Sequence, residues 1–420
     1  MTQSPHAHLP ATLTISLWDF SWYTRTGPGE PFADLDRAFE DAVARGYNTV
    51  RICAMPYLLF GSGLDTSRLR LRPLGGDYGQ RMRWYDVGAV AEIDGRAHLR
   101  ALFEAALRHD CYVILSSWEY QQSPSFAEDR AWYDALMAVD PERRAEALAD
   151  ALADLVDFLV VHGLDDRIAF TELHNEVQGT RLTDGLRGED RIVALRPRLE
   201  RGLARFRERH PNRPVTVNYA MVPVGSLRGV PRDIDVAVFH PYVYGVLGEL
   251  IDTFAIRDRA RPFPQPRARR ELLRPGAPDL ADWVPPERDR WRLSATTVGP
   301  REIYVHDWCD PVKWDAWLYE RYATHRLAME QKLVTWIDAA ADWAADTGVP
   351  PVFGEGWIGY TPLHATFEEG PVGAAFCRRA VTEAARVGAW GAVVCSNAAP
   401  QHPMWQDIAL QRECNAVLRG

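Results

Sequence analysis

Short β-rich runs and longer helical patterns alternate along all 420 residues of the chain. In the helical segments apolar residues recur at helical spacing, as at Leu148, Leu152, Leu155 and Leu159. This alternation predicts parallel strands with crossover helices, and eight strand–helix units are the number that closes a (β/α)8 TIM barrel. The predicted strands are 12–18, 49–53, 112–116, 168–173, 215–218, 235–239, 351–354 and 391–395.

A doubly wound open sheet is the alternative architecture for such a pattern. That fold would be expected to carry a glycine-rich phosphate-binding turn after an early strand. Here the sequence reads Asp-Phe-Ser-Trp-Tyr at 19–23 after the first strand and Ala-Met-Pro at 54–56 after the second. Neither segment suits a pyrophosphate, so the pattern favours the barrel.

The chain shows no tandem repeat, low-complexity tract or clear linker, which predicts a single barrel domain over residues 1–420. A long segment at about 245–311, rich in Pro and Arg, follows the sixth predicted strand. We expect it to be irregular, since no strand or long helical pattern is visible in it. Loops of this length are uncommon unless they are functional or disordered. We therefore expect this insertion to cover the active-site mouth.

Charge and composition exclude several classes of partner. The formal net charge of −9 gives no attraction to nucleic acid or to anionic lipid. No stretch predicts a signal peptide or a membrane-spanning helix. The six cysteines form no CxxC pair, which predicts buried thiols in a reducing compartment. These features indicate a cytoplasmic protein that acts on a small substrate.

Two glutamates follow predicted strands on opposite sides of the barrel mouth, where catalytic residues of this fold lie. Glu176 follows strand four and Glu355 follows strand seven. Glycoside hydrolysis needs such a pair: one carboxyl protonates the leaving oxygen, and the other attacks the anomeric carbon or activates water. We expect Glu176 to act as acid/base and Glu355 as nucleophile of a retaining glycosidase, with carboxyls ~5–5.5 Å apart, whereas a separation of ~6.5–9.5 Å would indicate an inverting one.

Neighbouring residues suit these two roles. Arg51 lies in an apolar strand and needs a carboxylate partner, so it is expected to keep Glu355 ionised. Tyr242 is expected to donate a hydrogen bond to the same carboxylate. Asn175 is placed to bond the 2-hydroxyl of a sugar. The pKa of Glu176 should be raised, because this residue must start the reaction protonated.

The motifs LHNEVQG, FHPYVYG and FGEGW, together with Arg51 on the second strand, resemble glycoside hydrolase family 5 and the wider cellulase-like clan A. Through strand order the resemblance covers nearly the whole chain. It implies a retaining mechanism, with an Asn–Glu pair after strand four, a His-x-Tyr pair after strand six and a nucleophile after strand seven. The matching positions are Arg51, Asn175, Glu176, His240, Tyr242 and Glu355.

Two positions depart from the family pattern. The family usually has a Trp after strand eight as a sugar platform, where this chain reads Cys-Ser-Asn at 395–397. It often has a His after strand three, where this chain reads Ser-Trp at 117–118. We expect other residues at strand ends to contact the sugar, with one of the tryptophans as its platform: Trp18, Asp19, Trp118, Trp357 and Asn397.

The opening WDFSWYTR and the covered mouth are similar to an intracellular, exo-acting subgroup of that family. This resemblance implies a β-mannosidase that acts on short oligosaccharides of the mannosyl-N-acetylglucosamine type. Another β-glycosidase or endo-glycanase specificity, a transglycosylase, and a non-catalytic sugar-binding barrel remain as alternatives. The sequence does not set the oligomeric state.

Two other chemistries on a barrel are disfavoured. A Schiff-base aldolase needs a lysine on a strand, but the only lysines, Lys313 and Lys332, lie outside the predicted strands. A metal-dependent hydrolase needs clustered ligands, but the one His-x-His motif, at His6 and His8, precedes the first strand. The sequence therefore predicts neither a metal nor an organic cofactor.

Overall fold

Eight parallel strands form the barrel in a computed structural model that describes residues 8–73, 87–188 and 190–420. A separate antiparallel pair joins Leu69–Leu71 to Ala91–Ile93. The barrel strands are β1 Leu13–Asp19, β2 Thr49–Cys53, β3 Tyr112–Ser116, β4 Ile168–Glu172, β5 in two segments (Val215–Thr216 and Asn218–Ala220), β6 Ala237–His240, β7 Pro351–Phe353 and β8 Gly391–Val393.

The barrel closes through the interrupted strand β5. Its first segment pairs with β4, where Thr171 lies opposite Val215, and its second pairs with β6, where Asn218 lies opposite Val238. At the other junction β1 pairs with both β2 and β8. The predicted (β/α)8 TIM barrel is therefore confirmed. The sequence predicted β5 as one run, whereas Val217 divides it between two neighbours.

The strands read as apolar runs because helices cover the barrel from outside and side chains fill it from inside. Every residue of β2 and β4 is buried. One of these buried residues is basic, Arg51 in β2, and one is acidic, Glu172 in β4. A buried charge requires a partner, so these two strands already point to an ion pair inside the barrel.

Helices surround the barrel and connect its strands. Side-chain caps begin several of them: Asp34, for example, accepts a hydrogen bond from the backbone N–H of Arg37. The helices are α1 Ser21–Thr24, α2 Leu35–Ala44, α3 Gly95–Arg108, α4 Ala131–Ala138, α5 Arg144–Val161, α6 Arg191–Arg209, α7 Val246–Thr253, α8 Gln265–Glu271, α9 Arg290–Ser294, α10 Pro300–Trp308, α11 Pro311–Thr347, α12 Pro371–Arg386 and α13 Ile408–Arg419.

The insertion at 245–311 is not the irregular segment that its Pro and Arg content suggested. It contains the four helices α7 to α10, each of five to nine residues. Their apolar faces pack inward, as Leu250 in α7 and Ile303 in α10 are fully buried. Helices this short carry too few turns for periodicity to reveal them, and tertiary packing stabilises them instead.

All six cysteines are buried thiols, as the sequence predicts. Within the described residues no helix combines the length and the apolar character needed to cross a bilayer.

Candidate active site

A cavity of about 500 Å³ lies at the carboxyl ends of the strands. Residues at the ends of the strands or after them form its floor, among them Asp19, Trp118, Asn175, Glu176, Tyr242, Glu355, Tyr360, Ser396 and Asn397. Residues of the insertion form part of its wall, among them Ile256, Arg257, Arg259, Val298, Arg301 and Glu302. The cavity therefore lies where a barrel of this kind places its ligand site.

The two glutamates expected at the mouth face each other in this cavity. An oxygen of Glu176, an oxygen of Glu355 and a ring nitrogen of His240 all lie within 4.8 Å of one another. Glu176 occupies left-handed backbone, with φ 44° and ψ 51°, and its N–H donates to Asn218 Oδ1 at 2.6 Å. A residue other than glycine is strained in this conformation, and such strain is concentrated at functional sites.

Both oxygens of Glu355 accept hydrogen bonds. Arg51 Nη1 donates to Oε1 at 2.8 Å, and the Tyr242 hydroxyl donates to Oε2 at 2.9 Å. Tyr360, which the sequence did not single out, lies 3.0 Å from the Tyr242 hydroxyl and 3.4 Å from Oε2. These donors fix the orientation of the carboxylate and stabilise its negative charge. The contacts expected of Arg51 and Tyr242 with Glu355 are present.

Glu176 has a different environment. His240 Nδ1 lies 3.1 Å from Oε1, and Gln121 Nε2 donates to Oε2 at 3.3 Å. Burial raises the pKa of Glu176 to about 7, against the opposing charge of Arg51. Burial also lowers the pKa of His240 to about 4, so its imidazole is neutral near pH 7. Glu176 thus has the raised pKa that the sequence predicts for an acid.

Arg51 joins two buried carboxylates. Besides Glu355 it contacts Glu172, whose Oε2 accepts from Nε at 3.0 Å and from Nη2 at 2.6 Å. Asn218 Nδ2 donates to the same Glu172 oxygen at 2.9 Å. Sequence reasoning missed Glu172, although an ionisable residue in an apolar strand was the signal that identified Arg51. Each buried charge of this group has a partner within the barrel.

Asn175 lines the cavity, but both groups of its amide are already engaged. Its Oδ1 accepts from Arg51 Nη2 at 2.7 Å, and its Nδ2 donates to Gln121 Oε1 at 3.0 Å. A sugar hydroxyl that contacts Asn175 would share Nδ2 with Gln121. The expected contact with the 2-hydroxyl stays a prediction.

Of the three tryptophans that the sequence predicts as a sugar platform, one lines the cavity and two do not. Trp118 lines the cavity, with its ring centroid 4.6 Å from the guanidinium carbon of Arg51. Trp18 instead packs against Phe39 of α2, and Trp357 donates its indole N–H to Val394 O at 2.7 Å. Neither is among the described residues that line the cavity. The expectation that Trp18 or Trp357 forms the sugar platform is wrong, because both rings face the packed interior.

Three tyrosines supply aromatic surface in the cavity instead: Tyr242, Tyr244 and Tyr360. The rings of Tyr242 and Tyr360 contact each other at 5.2 Å between centroids. Tyrosine rings in a sugar site combine an apolar face with a hydroxyl that can bond the ligand. The motif FHPYVYG already contained two of them, whereas the position of Tyr360 depends on how the chain folds after β7.

Polar groups without protein partners lie at the end of the cavity formed by the loops after β1 and β8. Asn397 Nδ2 and Gln401 Oε1 are buried and have no hydrogen-bond partner among the described residues. Asp19 occupies left-handed backbone with φ 47°, at a register shift between β1 and β2. Burial, followed by the Glu355 carboxylate, raises the pKa of Asp19 well above its ordinary value. These groups suit the hydroxyls of a ligand. Gln401 was not anticipated from the sequence.

The group of Glu176, His240 and Glu355 also has the donor types of a metal site. However, the Arg51 guanidinium already lies 2.8 Å from Glu355 Oε1, where it would repel a bound cation. His240 Nδ1 faces Glu176, not an open coordination position. The arrangement suits one carboxyl that donates a proton and one that stays ionised better than it suits metal binding. His6 of the His-x-His motif lies outside the described residues.

The closed barrel and the facing carboxyls at its mouth define a (β/α)8 protein with a polar, aromatic-lined ligand site. A family model described as sugar-binding and cellulase-like matches residues 15–230, half of the chain. The protein therefore belongs to this cellulase-like family.

Solved structures share the fold. A crystal structure from Parabacteroides distasonis, provisionally assigned as a glycoside hydrolase, is 18% identical, with a TM-score of 0.69 over 98% of this chain and 94% of that chain. A family 5, subfamily 4 endo-β-1,4-glucanase from Bacillus licheniformis, complexed with cellotetraose, is 14% identical, with a TM-score of 0.53 over 99% of this chain and 61% of that chain. At these identities the similarity concerns the fold. A search of curated proteins finds no match.

Proposed function

We propose that the protein is a retaining, exo-acting β-glycosidase with Glu355 as nucleophile and Glu176 as acid/base. The separation of the two carboxyls is the observation that carries this proposal. An oxygen of each lies within 4.8 Å of the other. Retaining glycosidases hold their carboxyls ~5–5.5 Å apart, whereas inverting ones need ~6.5–9.5 Å to admit a water molecule. The 4.8 Å limit applies to the nearest oxygens of the two groups, and it fits the shorter, retaining separation, which supports direct attack by Glu355.

The reaction then proceeds in two displacements. In the first, a Glu355 oxygen attacks the anomeric carbon while Glu176 gives its proton to the glycosidic oxygen. The bond from the anomeric carbon to that oxygen breaks, which releases the aglycone as an alcohol and leaves a glycosyl ester on Glu355. In the second, the Glu176 carboxylate takes a proton from water as that water attacks the anomeric carbon. Glu355 leaves as a carboxylate, and Glu176 is again protonated.

The surroundings of each carboxyl suit its step. Arg51 and Tyr242 donate to Glu355, so they stabilise the carboxylate that departs in the second displacement. The pKa of Glu176, raised to about 7 by burial, keeps much of this group protonated at neutral pH. A protein that only binds sugar has no need for a proton donor opposite a stabilised carboxylate, so this pairing favours catalysis over a binding role.

The cavity supports a short substrate. Its volume of about 500 Å³ falls within the ~300–1,000 Å³ of sites for small ligands, and the insertion walls one side of it. We infer that the insertion caps the mouth and that Asp19, Asn397 and Gln401 bind the hydroxyls of the terminal sugar. Such a pocket favours exo action over an open endo cleft. The six buried thiols support a reducing compartment such as the cytoplasm, where substrates are short.

We propose a β-mannoside, of the mannosyl-N-acetylglucosamine type, as the preferred substrate. On 4-nitrophenyl β-mannoside, glucoside, galactoside and xyloside, we expect kcat/KM for the mannoside to exceed the others by at least about tenfold, since buried polar groups reject a misplaced hydroxyl. A different preferred sugar would contradict the mannoside assignment and leave the mechanism standing. Sugar binding by calorimetry without turnover of any of these glycosides, or of mannosyl-N-acetylglucosamine, would instead indicate a non-catalytic sugar-binding barrel.

A further inference from the structure

Three arginines of the insertion line one wall of the cavity: Arg257, Arg259 and Arg301. We call them the arginine wall. Glu302 is the carboxylate that lines the cavity beside them. Three guanidinium groups and one carboxylate leave this wall with a local charge of about +2, although the whole chain carries −9.

Glu302 neutralises only Arg257. Arg257 Nη2 donates to Glu302 Oε1 at 2.6 Å, and Arg257 Nε donates to Oε2 at 3.0 Å. The same guanidinium lies 5.0 Å from the ring centroid of Tyr244. This bidentate pair uses the single negative charge beside the wall. Glu302 therefore does not neutralise Arg259 or Arg301.

Arg301 is oriented by neutral partners. Its Nη1 donates to three backbone carbonyls of the insertion, Ala255 O at 2.6 Å, Asp258 O at 2.8 Å and Arg261 O at 3.1 Å. Carbonyl groups hold a guanidinium in place, but they do not cancel its charge. Arg301 therefore presents a fixed positive charge at the cavity.

Arg259 is exposed and has no hydrogen bond or ion pair within the described parts of the chain. The neighbouring carboxylate of Asp258 is already paired with Arg261, at 2.7 Å from Arg261 Nε. An arginine on a cavity wall with no protein acceptor has all five of its N–H donors available for a ligand.

The wall belongs to the same side of the cavity as Glu176. Thr297 N, in the insertion, donates to Gln121 O at 2.7 Å, and Gln121 Nε2 donates to Glu176 at 3.3 Å. The charge of Arg257 is among those that oppose the burial-induced rise in the pKa of Glu176. In the proposed mechanism Glu176 protonates the leaving oxygen, so the group beside it is the aglycone.

We propose that this end of the cavity binds an anionic leaving group, an aglycone sugar that bears a carboxylate or a phosphate, through Arg259 and Arg301. The proposal rests on the proposed glycosidase function for its assignment of the leaving-group end. Guanidinium groups match both anions in bidentate geometry, and such charge-assisted hydrogen bonds are about twice as strong as those to neutral hydroxyls.

The test is calorimetric binding of three free sugars to the full chain: glucose, glucuronate and glucose 6-phosphate. At about 20 mM NaCl we expect at least one of the two anions to bind about tenfold more tightly than glucose, and the tighter anion identifies carboxylate or phosphate as the ligand group. At about 500 mM NaCl the advantage should shrink at least threefold, because salt screens exposed charges. Equal affinities for all three sugars would overturn the proposal.

Two variants locate the effect. R259Q should reduce the anion advantage to about threefold or less, whereas R270Q, a change in the same insertion at an exposed arginine that does not line the described cavity, should keep it. An advantage that survives R259Q unchanged, or that R270Q removes equally, would contradict the wall as the binding site. Absence of glycoside turnover alongside a preserved anion preference would refute the glycosidase and leave anion binding established. Turnover without that preference would refute the anionic leaving group alone.

Discussion

Replacing Glu355 with glutamine is expected to lower kcat/KM on the preferred 4-nitrophenyl glycoside on the order of 10⁴-fold or more. An amide cannot form the glycosyl ester, and it removes the negative charge that Arg51 Nη1 contacts at 2.8 Å. Steady-state kinetics with purified protein measures the change, and circular dichroism establishes that the variant is folded. The matched control is E119Q, since Glu119 is equally buried but is bonded to the backbone of Tyr57 and Leu58, outside the cavity lining.

E119Q should retain turnover within a few-fold of the unmodified chain, even if it melts at lower temperature.

A variant with a smaller residue at position 355 provides a second, chemical test of the nucleophile. With E355A, added azide should restore turnover and yield the α-glycosyl azide, because azide then attacks from the face that Glu355 vacated. Turnover of E355Q within tenfold of the unmodified chain would show that Glu355 is not the nucleophile.

Replacing Glu176 with glutamine is expected to lower kcat/KM about 10²–10⁴-fold on substrates with poor leaving groups, since these substrates need a proton in the first step. The first displacement of a 2,4-dinitrophenyl glycoside needs no such proton, so its kcat/KM should fall far less. For E176A, azide should rescue the second displacement and yield the β-glycosyl azide, the opposite anomer to that from E355A. An equal loss on both classes of substrate would contradict the role of Glu176 as acid.

The protonation state of Glu176 should also determine how kcat/KM depends on pH. Burial raises the pKa of Glu176 to about 7, and the protonated form is the one that acts in the first displacement. For substrates that need the proton, kcat/KM should therefore be highest below this pKa and decline as pH rises through it. The alkaline decline should be absent from E176Q. A decline of the same midpoint in both proteins would assign it to another group.

Much of the fold is encoded in local patterns that a sequence displays directly. Alternating strand and helix periods, and the count of eight strands, predicted the barrel because parallel strands with crossover helices have few ways to close. The division of β5 at Val217 could not be predicted, because it depends on which neighbour each half meets. The helices α7 to α10 were missed for a similar reason, since packing against the barrel decides whether such short segments are helical.

The sequence could predict those site residues that lie at the ends of strands, because all strand ends of a barrel converge at one mouth. Glu176 and Glu355 are distant in sequence and meet because β4 and β7 end at the same mouth. Side-chain direction was less accessible to sequence reasoning: the register shift before Asp19 aims that carboxyl into the cavity, whereas Trp18 next to it faces α2. Roles that depend on the tertiary fold, such as the contact of Tyr360 with Glu355, leave no local signature.

The most direct test of double displacement at Glu355 is to trap the covalent intermediate. A 2-deoxy-2-fluoro-β-glycosyl fluoride of the preferred sugar forms the ester readily, but the fluorine slows its hydrolysis, because it destabilises the positively charged transition state. Mass spectrometry of the intact chain should show one added 2-deoxy-2-fluoroglycosyl group, and peptide mapping should place it on Glu355. A label on another residue would contradict this assignment, and so would turnover that releases the inverted anomer without any label.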